Sequence, residues 1–279
     1  VSAAPQAHLL SGGQRLHLHH GPIDLIIGVE GDERQQCFER AVARFQTVLS
    51  GLAAELCGLR KPAPHGPFQD PVACRMLRAI TPHRGIFVTP MAAVAGAVAD
   101  EILAAMMQGH TPTKAYVNNG GDIAFHLCHG QQMTSLGPAG QIVLTAQDTA
   151  RGLATSGWQG RSHSLGIADA VTVAAPTAAA ADVAATLIAN AVDLPDHPSI
   201  ERAPAATLNP DSDLGLRAVT THVPQLSQRE IHTALANGAR YAQTLVDSGL
   251  ICQAALTLQG QSMLITAETT PQIGTLVHA

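Results

Sequence analysis

The 279-residue sequence predicts an α/β (α+β) fold of mixed strands and helices, and three observations predict it. An amphipathic helical pattern runs from Glu33 to Leu59, and short apolar runs bounded by Gly, Pro and Asn recur after it. A helix-start signal at Ser227 then leads into a long helix and a closing hairpin. No regular repeat joins these elements, so a solenoid or propeller is not expected.

The length suits one domain over 1–279, or two intimately packed halves with a boundary loop near 61–70 or 193–213. Alanine supplies much of the 46% apolar content and aromatics only 3%, so close backbone approach should matter more than bulky rings. Charged residues are 13% and the net charge is −5, with no basic tract beside an aromatic platform, which argues against nucleic acid as a partner. The five cysteines are dispersed and form no C-x-x-C pair, as expected for reduced thiols in a cytoplasmic protein. The opening residues lack a basic region followed by a long apolar segment, so no intact signal peptide is expected. The apolar tract from Ala170 to Ala191 contains Pro176, Asp182 and Asn190 and reads as a strand followed by a helix, not a membrane span. The expected partners are a small-molecule ligand and further copies of the chain, with no membrane.

Taken in order, Arg15–His20 and Ile23–Val29 suit strands joined by a Gly21-Pro22 turn, with Asp24 and Asp32 read as turn or cap residues. The helix over Glu33–Leu59 carries Phe38, Val42, Phe45, Val48, Leu52 and Leu56 on one face and can divide near Gly51. Lys61–Asp70 is a Pro/Gly-rich loop, Gly85–Thr89 a short strand, and Met91–Met106 a helix whose Ala93, Gly96 and Ala97 allow close approach. Lys114–Leu127 reads as two strands around Gly120-Gly121, Gln141–Ala146 as a strand, and Ala154–Gly157 as a small-residue turn. Ala170–Ala175 is a strand ended by Pro176, with Thr177 capping a helix to Val192. Residues 193–213 form a long excursion, and Leu216–Val223 is strand-like. Ser227 and Glu230 form a capping box, and Gln259-Gly260 turns the final hairpin.

Three elements are candidates for chemistry. Gly120 and Gly121 can bring backbone N–H groups close to an anionic or carbonyl-rich ligand, with Asn119 adding an amide and Asp122 a carboxylate for a cation, a hydroxyl or a proton. Such a turn can equally be purely structural. Thr155, Ser156 and Gly157 offer hydroxyls and a turn, beside His163 as a base and Asp169 behind it, although no G-x-S-x-G elbow is present. Asp182, Thr186 and Asn190 lie four residues apart on an otherwise apolar helix, where Asp182 and Thr186 could hold magnesium or simply bond to a neighbouring turn. His17, His19 and His20 could cluster on a transition metal, though separate hydrogen-bonded histidines explain most of the 14 in the chain.

The ordered words Val117-Asn118-Asn119-Gly120-Gly121-Asp122-Ile123, Ala154-Thr155-Ser156-Gly157, His163 to Val173 and Ala181-Asp182-Val183-Ala184-Ala185-Thr186 together resemble an uncharacterised family related to the ApbE-like flavin transferases. The resemblance spans most of the chain. It implies a duplicated arrangement of mixed β-sheets packed with helices, a cleft for FAD and magnesium, and FMN transfer to a threonine of a partner protein. It assigns the Gly-Gly-Asp region to Gly120, Gly121 and Asp122, the Ser-Gly turn to Ser156 and Gly157, and the metal pair to Asp182 and Thr186. Where the transferases carry a longer hairpin and a His-x-x-Asp-Pro-x-Thr-Gly word, this chain reads Arg161-Ser162-His163-Ser164-Leu165-Gly166-Ile167-Ala168-Asp169. The expected function is thus a magnesium-dependent enzyme that binds a flavin nucleotide (FAD or FMN) or another phosphate-bearing small molecule, with His163 or Asp122 moving a proton. The alternatives are a noncatalytic ligand-binding or accessory protein, and a sulfur-handling enzyme using Cys128 or Cys74.

Overall fold

The computed structural model describes residues 4–62, 67–137, 140–160, 162–267 and 272–275. Parts of the expected Lys61–Asp70 loop and of the turn before Gly140, and Arg161, lie outside the described residues. The chain divides into two compact units that interleave in sequence. The first comprises Val1–Thr134, Val143–Ala154 and Pro176–Asp182, and the second Ser135–Ile142, Thr155–Ala175 and Val183–Ala279.

In the first unit, strands β1 (Gln6–Leu9), β2 (Arg15–His20), β3 (Ile23–Glu30), β4 (Lys114–Asn119) and β5 (Asp122–Leu127) pair successively, all antiparallel. The alternation of β2 is the physical reason for its orientation. Leu16, Leu18 and His20 are buried while His17 and His19 face outward. Gly28 of β3 sits opposite Tyr116 of β4, and the Tyr116 ring occupies the space a Cβ at Gly28 would take.

The helical stretch after β3 divides at Gln46–Thr47, not at Gly51, giving α1 (Arg34–Phe45) and α2 (Val48–Leu59). Gly51 lies inside α2 because the Asp70 carboxylate fills the position of its missing side chain, and Asp70 also caps α3 (Pro71–Ile80) by accepting from Val72 N at 2.8 Å. The Gly85–Thr89 segment is not a strand; it forms no ladder and ends at Thr89, which caps the 3₁₀ turn Pro90–Ala93 leading into α4 (Val94–Met106). Helix α4 packs on β4, β5 and α1, and Arg44 of α1 and Arg75 of α3 both reach Glu101 of α4 at 2.9 Å. Strands β6 (Gln132–Gly137) and β7 (Gly140–Thr145) pair with each other, and β8 (Gly152–Ser156) begins in the first unit, where Gly152 and Leu153 pair with β5.

The second unit centres on β9 (Ala170–Ala175), β12 (Gln253–Leu258), β13 (Gln261–Thr266) and β14 (Gln272–Thr275), again antiparallel. The β12–β13 turn has positive φ at both Gln259 and Gly260, as a two-residue hairpin of right-handed strands requires. Helix α5 (Ala178–Ala191) begins in the first unit and continues into the second. The excursion expected over 193–213 contains a short strand, β10 (Glu201–Pro204), and one turn of helix, α6 (Ala205–Leu208). Strand β10 pairs with β11 (Ala218–His222), because Arg202 anchors it to Asp193 at 2.6 Å and to the Leu165 carbonyl. Helix α7 (Gln228–Asp247) starts at the expected capping box, with Ser227 and Glu230 each bonding the other's backbone, and packs on β12 and β13. No helix among the described residues is long and apolar enough to cross a membrane.

Candidate functional site

In the first unit the site is built where the N-termini of α4 and α5 meet the β4–β5 turn. Helix α5 carries the expected cap, since Thr177 Oγ1 accepts from Ala180 N at 3.1 Å, whereas α4 does not cap itself. Ala93, at the N-cap of α4, has no side-chain acceptor. Asp182, one turn into α5, supplies it by accepting from Gly96 N at 3.1 Å, with a further bond from the Ala95 backbone. In return Asp100 of α4 accepts from Ala178 N at 3.0 Å and Ala179 N at 2.9 Å, the first residues of α5. The two helices thus cap one another with carboxylates, each placed at a positive helix end.

Small residues make this exchange reachable. A Cβ on Gly96 would stand 2.2 Å from the Ala178 carbonyl oxygen, and one on Gly152 of β8 would stand 2.1 Å from Ala178 N. Sequence reasoning identified Gly96 as a close-approach residue but missed Asp100 as the partner of α5. The signal was available: an acid four residues after a glycine in a helix otherwise made of apolar residues must find donors when buried.

The β4–β5 turn lies against this junction. Asn119, buried at the end of β4, donates from Nδ2 to the Ala95 carbonyl at 3.0 Å. Asp122, buried and directly opposite Asn119 in register, is in side-chain hydrogen-bonding contact with Asp182. Gly120 and Gly121 connect them with φ of +64° and +115°, and Asn118 Oδ1 accepts from Gly121 N at 2.8 Å. Open space surrounds the position of a Gly121 Cβ. Asn119, Gly120, Gly121, Asp122 and Asp182 are therefore brought together.

The electrostatics follow from the carboxyl pair. Asp182 is half-exposed as a residue, yet the protein packed round its carboxyl and the neighbouring Asp122 push its pKa well above the ordinary carboxylate range. Burial contributes most and Asp122 next, and the Gly96 and Ala95 amides only partly offset them. Among the described residues Asp182 has no Lys, Arg or His ion-pair partner. Burial likewise raises Asp100, against its two backbone bonds.

Thr186 lies one turn beyond Asp182 on α5, half-buried, and its hydroxyl has no hydrogen-bond partner among the described residues. Asn190, one turn further, is committed to the fold, since its Oδ1 accepts from Ser164 Oγ at 3.1 Å and Leu165 N at 2.8 Å.

The remaining candidates belong to the second unit. Thr155 and Ser156 are on strand β8, not in a turn, and Thr155 Oγ1 bonds Thr172 Oγ1 of β9 at 2.9 Å. Gly157 follows them because the Asp169 backbone lies where its Cβ would be. The Asp169 carboxylate accepts from Trp158 Nε1 at 3.1 Å and Gln259 N at 2.6 Å, so it ties down this loop instead of orienting His163. His163 is half-buried and makes no hydrogen bond among the described residues.

The cysteines and the histidine trio are placed separately. Cys128 Sγ stands 3.5 Å from His126 Nε2, a pairing not foreseen from sequence, while Cys74 Sγ donates to the Phe68 carbonyl at 3.2 Å. Strand alternation splits the histidine trio, placing His20 inward with its ring edge-on to Phe45 at 6.3 Å. Among the described residues no three His, Cys, Asp or Glu side chains are gathered as a metal cluster.

Known proteins resemble this chain in sequence. It is 37% identical to a UPF0280 protein of Methanothermobacter thermautotrophicus over 136 residues, which cover 46% of this chain and 51% of that one. It is 35% identical over 135 residues to a UPF0280 protein of Methanococcoides burtonii, covering 45% and 55%. The chain thus spans about half the length of the curated relatives it matches. Among solved structures it is similar to a mutant of the flavin transferase ApbE from Vibrio cholerae, at 12% identity and TM-score 0.45, covering 94% of this chain and 97% of that one. It is also similar to the apo flavinyl transferase ApbE of Pseudomonas stutzeri, at 12% identity and TM-score 0.41, covering 99% and 95%. A family model described as AbpE bacteria matches residues 7–264, nearly the whole sequence, and the chain belongs to that family.

Proposed function

We propose that this chain is a magnesium-dependent enzyme that binds a flavin nucleotide or another phosphate-bearing small molecule. The observation that carries the reading is the contact between the Asp122 and Asp182 carboxyl groups beside the Gly120-Gly121 turn. Two carboxyls in contact cannot both ionise cheaply unless a cation lies between or beside them. Their hard oxygen donors, with the Thr186 hydroxyl one turn along α5, which has no partner among the described residues, fit magnesium. Asp182 and Thr186 would hold the ion, which would supply positive charge for phosphate oxygens.

The protein's own residues have separate roles. Gly120 and Gly121 present backbone without side-chain obstruction, so a ligand can come close to the turn, whose Gly121 amide is held by Asn118. Asn119 and Asn118 keep the turn in shape through Ala95 and Gly121. Asp122 exchanges a proton with Asp182 or with a ligand hydroxyl.

Isothermal titration with FAD and, separately, ADP tests this, each with magnesium in excess and again with chelator. Saturable, magnesium-dependent binding weakened at least about tenfold by Asp182→Asn is expected. Binding of ADP but not FAD would remove the flavin version, and binding of neither would overturn the proposal. Ligand binding with no FMN transfer to any added threonine-containing acceptor would favour the accessory role.

A further inference from the structure

We propose that Asp100 of α4 is the positioning residue of the candidate site: its carboxylate fixes the first turn of α5 and so holds Asp182 against Asp122. The proposal rests on the reading of the Asp122–Asp182 pair as the place where a cation binds. It gives a role to a buried carboxyl that this reading leaves unused.

A helix leaves the N–H groups of its first turn without partners inside the helix. In α5 they can be followed one by one. Ala178 N and Ala179 N donate to the two oxygens of Asp100, at 3.0 Å and 2.9 Å. Ala180 N donates to Thr177 Oγ1, and Ala181 N to the Thr177 carbonyl, both at 3.1 Å. The Thr177 bonds are internal to the start of α5 and do not fix where the helix stands. The Asp100 bonds do, because they join two helices across 78 and 79 positions of chain.

Steric contacts stop α5 from moving inward but not from moving away. The Ala178 backbone already lies where a Cβ on Gly96 or Gly152 would stand, so closer approach is blocked. Retreat is opposed by the Asp100 bonds and by the bond from Gly96 N to Asp182, 3.1 Å long. Residues four apart share a helix face. Gly96 and Asp100 are so related on α4, and Ala178 and Asp182 on α5, so the two contacts pin α5 at two points about one turn apart. With Asp100 removed, α5 can pivot about the remaining contact and carry Asp182 away from Gly96 and Asp122. Burial pushes the Asp100 carboxyl up, while the Ala179 and Ala178 amides and the charge of Arg75 draw it back, so the bonds to α5 also help keep it a carboxylate.

The test is amide hydrogen exchange on the full, metal-free chain, wild type against Asp100→Asn. Asparagine accepts at one oxygen and turns its NH2 toward the second amide, so α5 loses a tie. The Gly96 amide, in the first turn of α4, is held by Asp182, and its exchange therefore reports whether Asp182 is seated. Exchange at Gly96 and Ala95 should accelerate at least about tenfold, although neither amide bonds Asp100. Ser227→Ala, which loosens the start of α7 only, should leave both within about twofold, which separates positioning from general loss of stability. Calorimetric titration with magnesium chloride should then show affinity about tenfold weaker in Asp100→Asn, measured well below its unfolding temperature. Should Asp100→Asn not fold, Asp100→Glu keeps both oxygens but displaces α5 by a methylene, and carries the same comparison. Faster exchange at Ala178 and Ala179 with Gly96 and Ala95 unchanged would overturn the proposal, as would undiminished magnesium affinity. A wild type that shows the exchange contrast but binds no magnesium would sink the cation reading and leave the positioning role standing.

Discussion

Replacing Gly96 by alanine tests the packing on which the candidate site rests. The added Cβ would meet the Ala178 carbonyl oxygen at 2.2 Å, its carbonyl carbon at 2.4 Å and Ala179 N at 2.7 Å. All three are backbone atoms, so no rotamer change relieves the clash, and the first turn of α5 must retreat by about 1 Å to reach ordinary contact. That retreat lengthens the Asp182 bond to Gly96 N, now 3.1 Å, and both Asp100 bonds to α5. Overpacking costs roughly 1–3 kcal/mol. Strain on hydrogen bonds to charged groups adds about 1.5–3 kcal/mol. The better helix propensity of alanine returns about 1 kcal/mol. A net loss of about 1.5–5 kcal/mol is expected, and for a chain of this size about 3–20 °C in Tm. Thermal unfolding followed by circular dichroism measures it, with Gly58→Ala as the comparison. There the new Cβ meets only the Phe68 ring, at 3.0 Å, and a ring can move. A Gly96→Ala protein melting within about 1 °C of wild type would show that the helices do not cap one another as described.

The His83 imidazole is buried, and burial holds its pKa below the usual histidine value of about 6.5. The folded state therefore favours neutral His83, a contribution complete above about pH 6.5 and lost as pH falls toward the depressed folded value. Urea unfolding from about pH 7.5 to about pH 5 should show stability falling over that interval, and His83→Gln should flatten the fall; an unchanged slope would remove His83 as its source. Ser227→Ala deletes one half of the capping box on α7 and should cost about 1 kcal/mol. Hydrogen exchange at Arg229–Ile231 should accelerate with it, and unchanged protection there would contradict the cap. Cys128→Ser leaves the carboxyl pair intact, so magnesium-dependent ligand binding should stay within about twofold of wild type. A tenfold loss would instead favour sulfur chemistry at the Cys128–His126 pair.

The strands and helices were legible wherever periodicity and punctuation agreed. The Ser227–Glu230 box, the Gln259-Gly260 turn, the Gly120-Gly121 hairpin and the run Ala170–Ala175 each encode their conformation within a few residues. Elements set by distant partners were not legible. Gly51 reads as a break in sequence but is a contact with Asp70, and Gly85–Thr89 has strand composition but no neighbouring strand. Thr155 and Ser156 look like turn residues and instead end a strand, because Thr155 finds Thr172 across the sheet.

For the candidate site, the sequence by itself determined the chemistry-bearing residues: two glycines before Asp122, and Asp182 one helical turn from Thr186. Their spacing along a single strand turn or helix is a local property, fixed by the 3.6-residue and two-residue periods. Only the tertiary structure decided that Asp122 touches Asp182, that α4 and α5 exchange carboxylate caps, and that Asp169 is consumed by Trp158 and Gln259. The caps join residues far apart along the chain, 86 positions for Gly96 and Asp182 and 78 for Asp100 and Ala178. No local pattern specifies such pairings, since they arise when small residues let two helix ends approach and buried carboxylates must find donors.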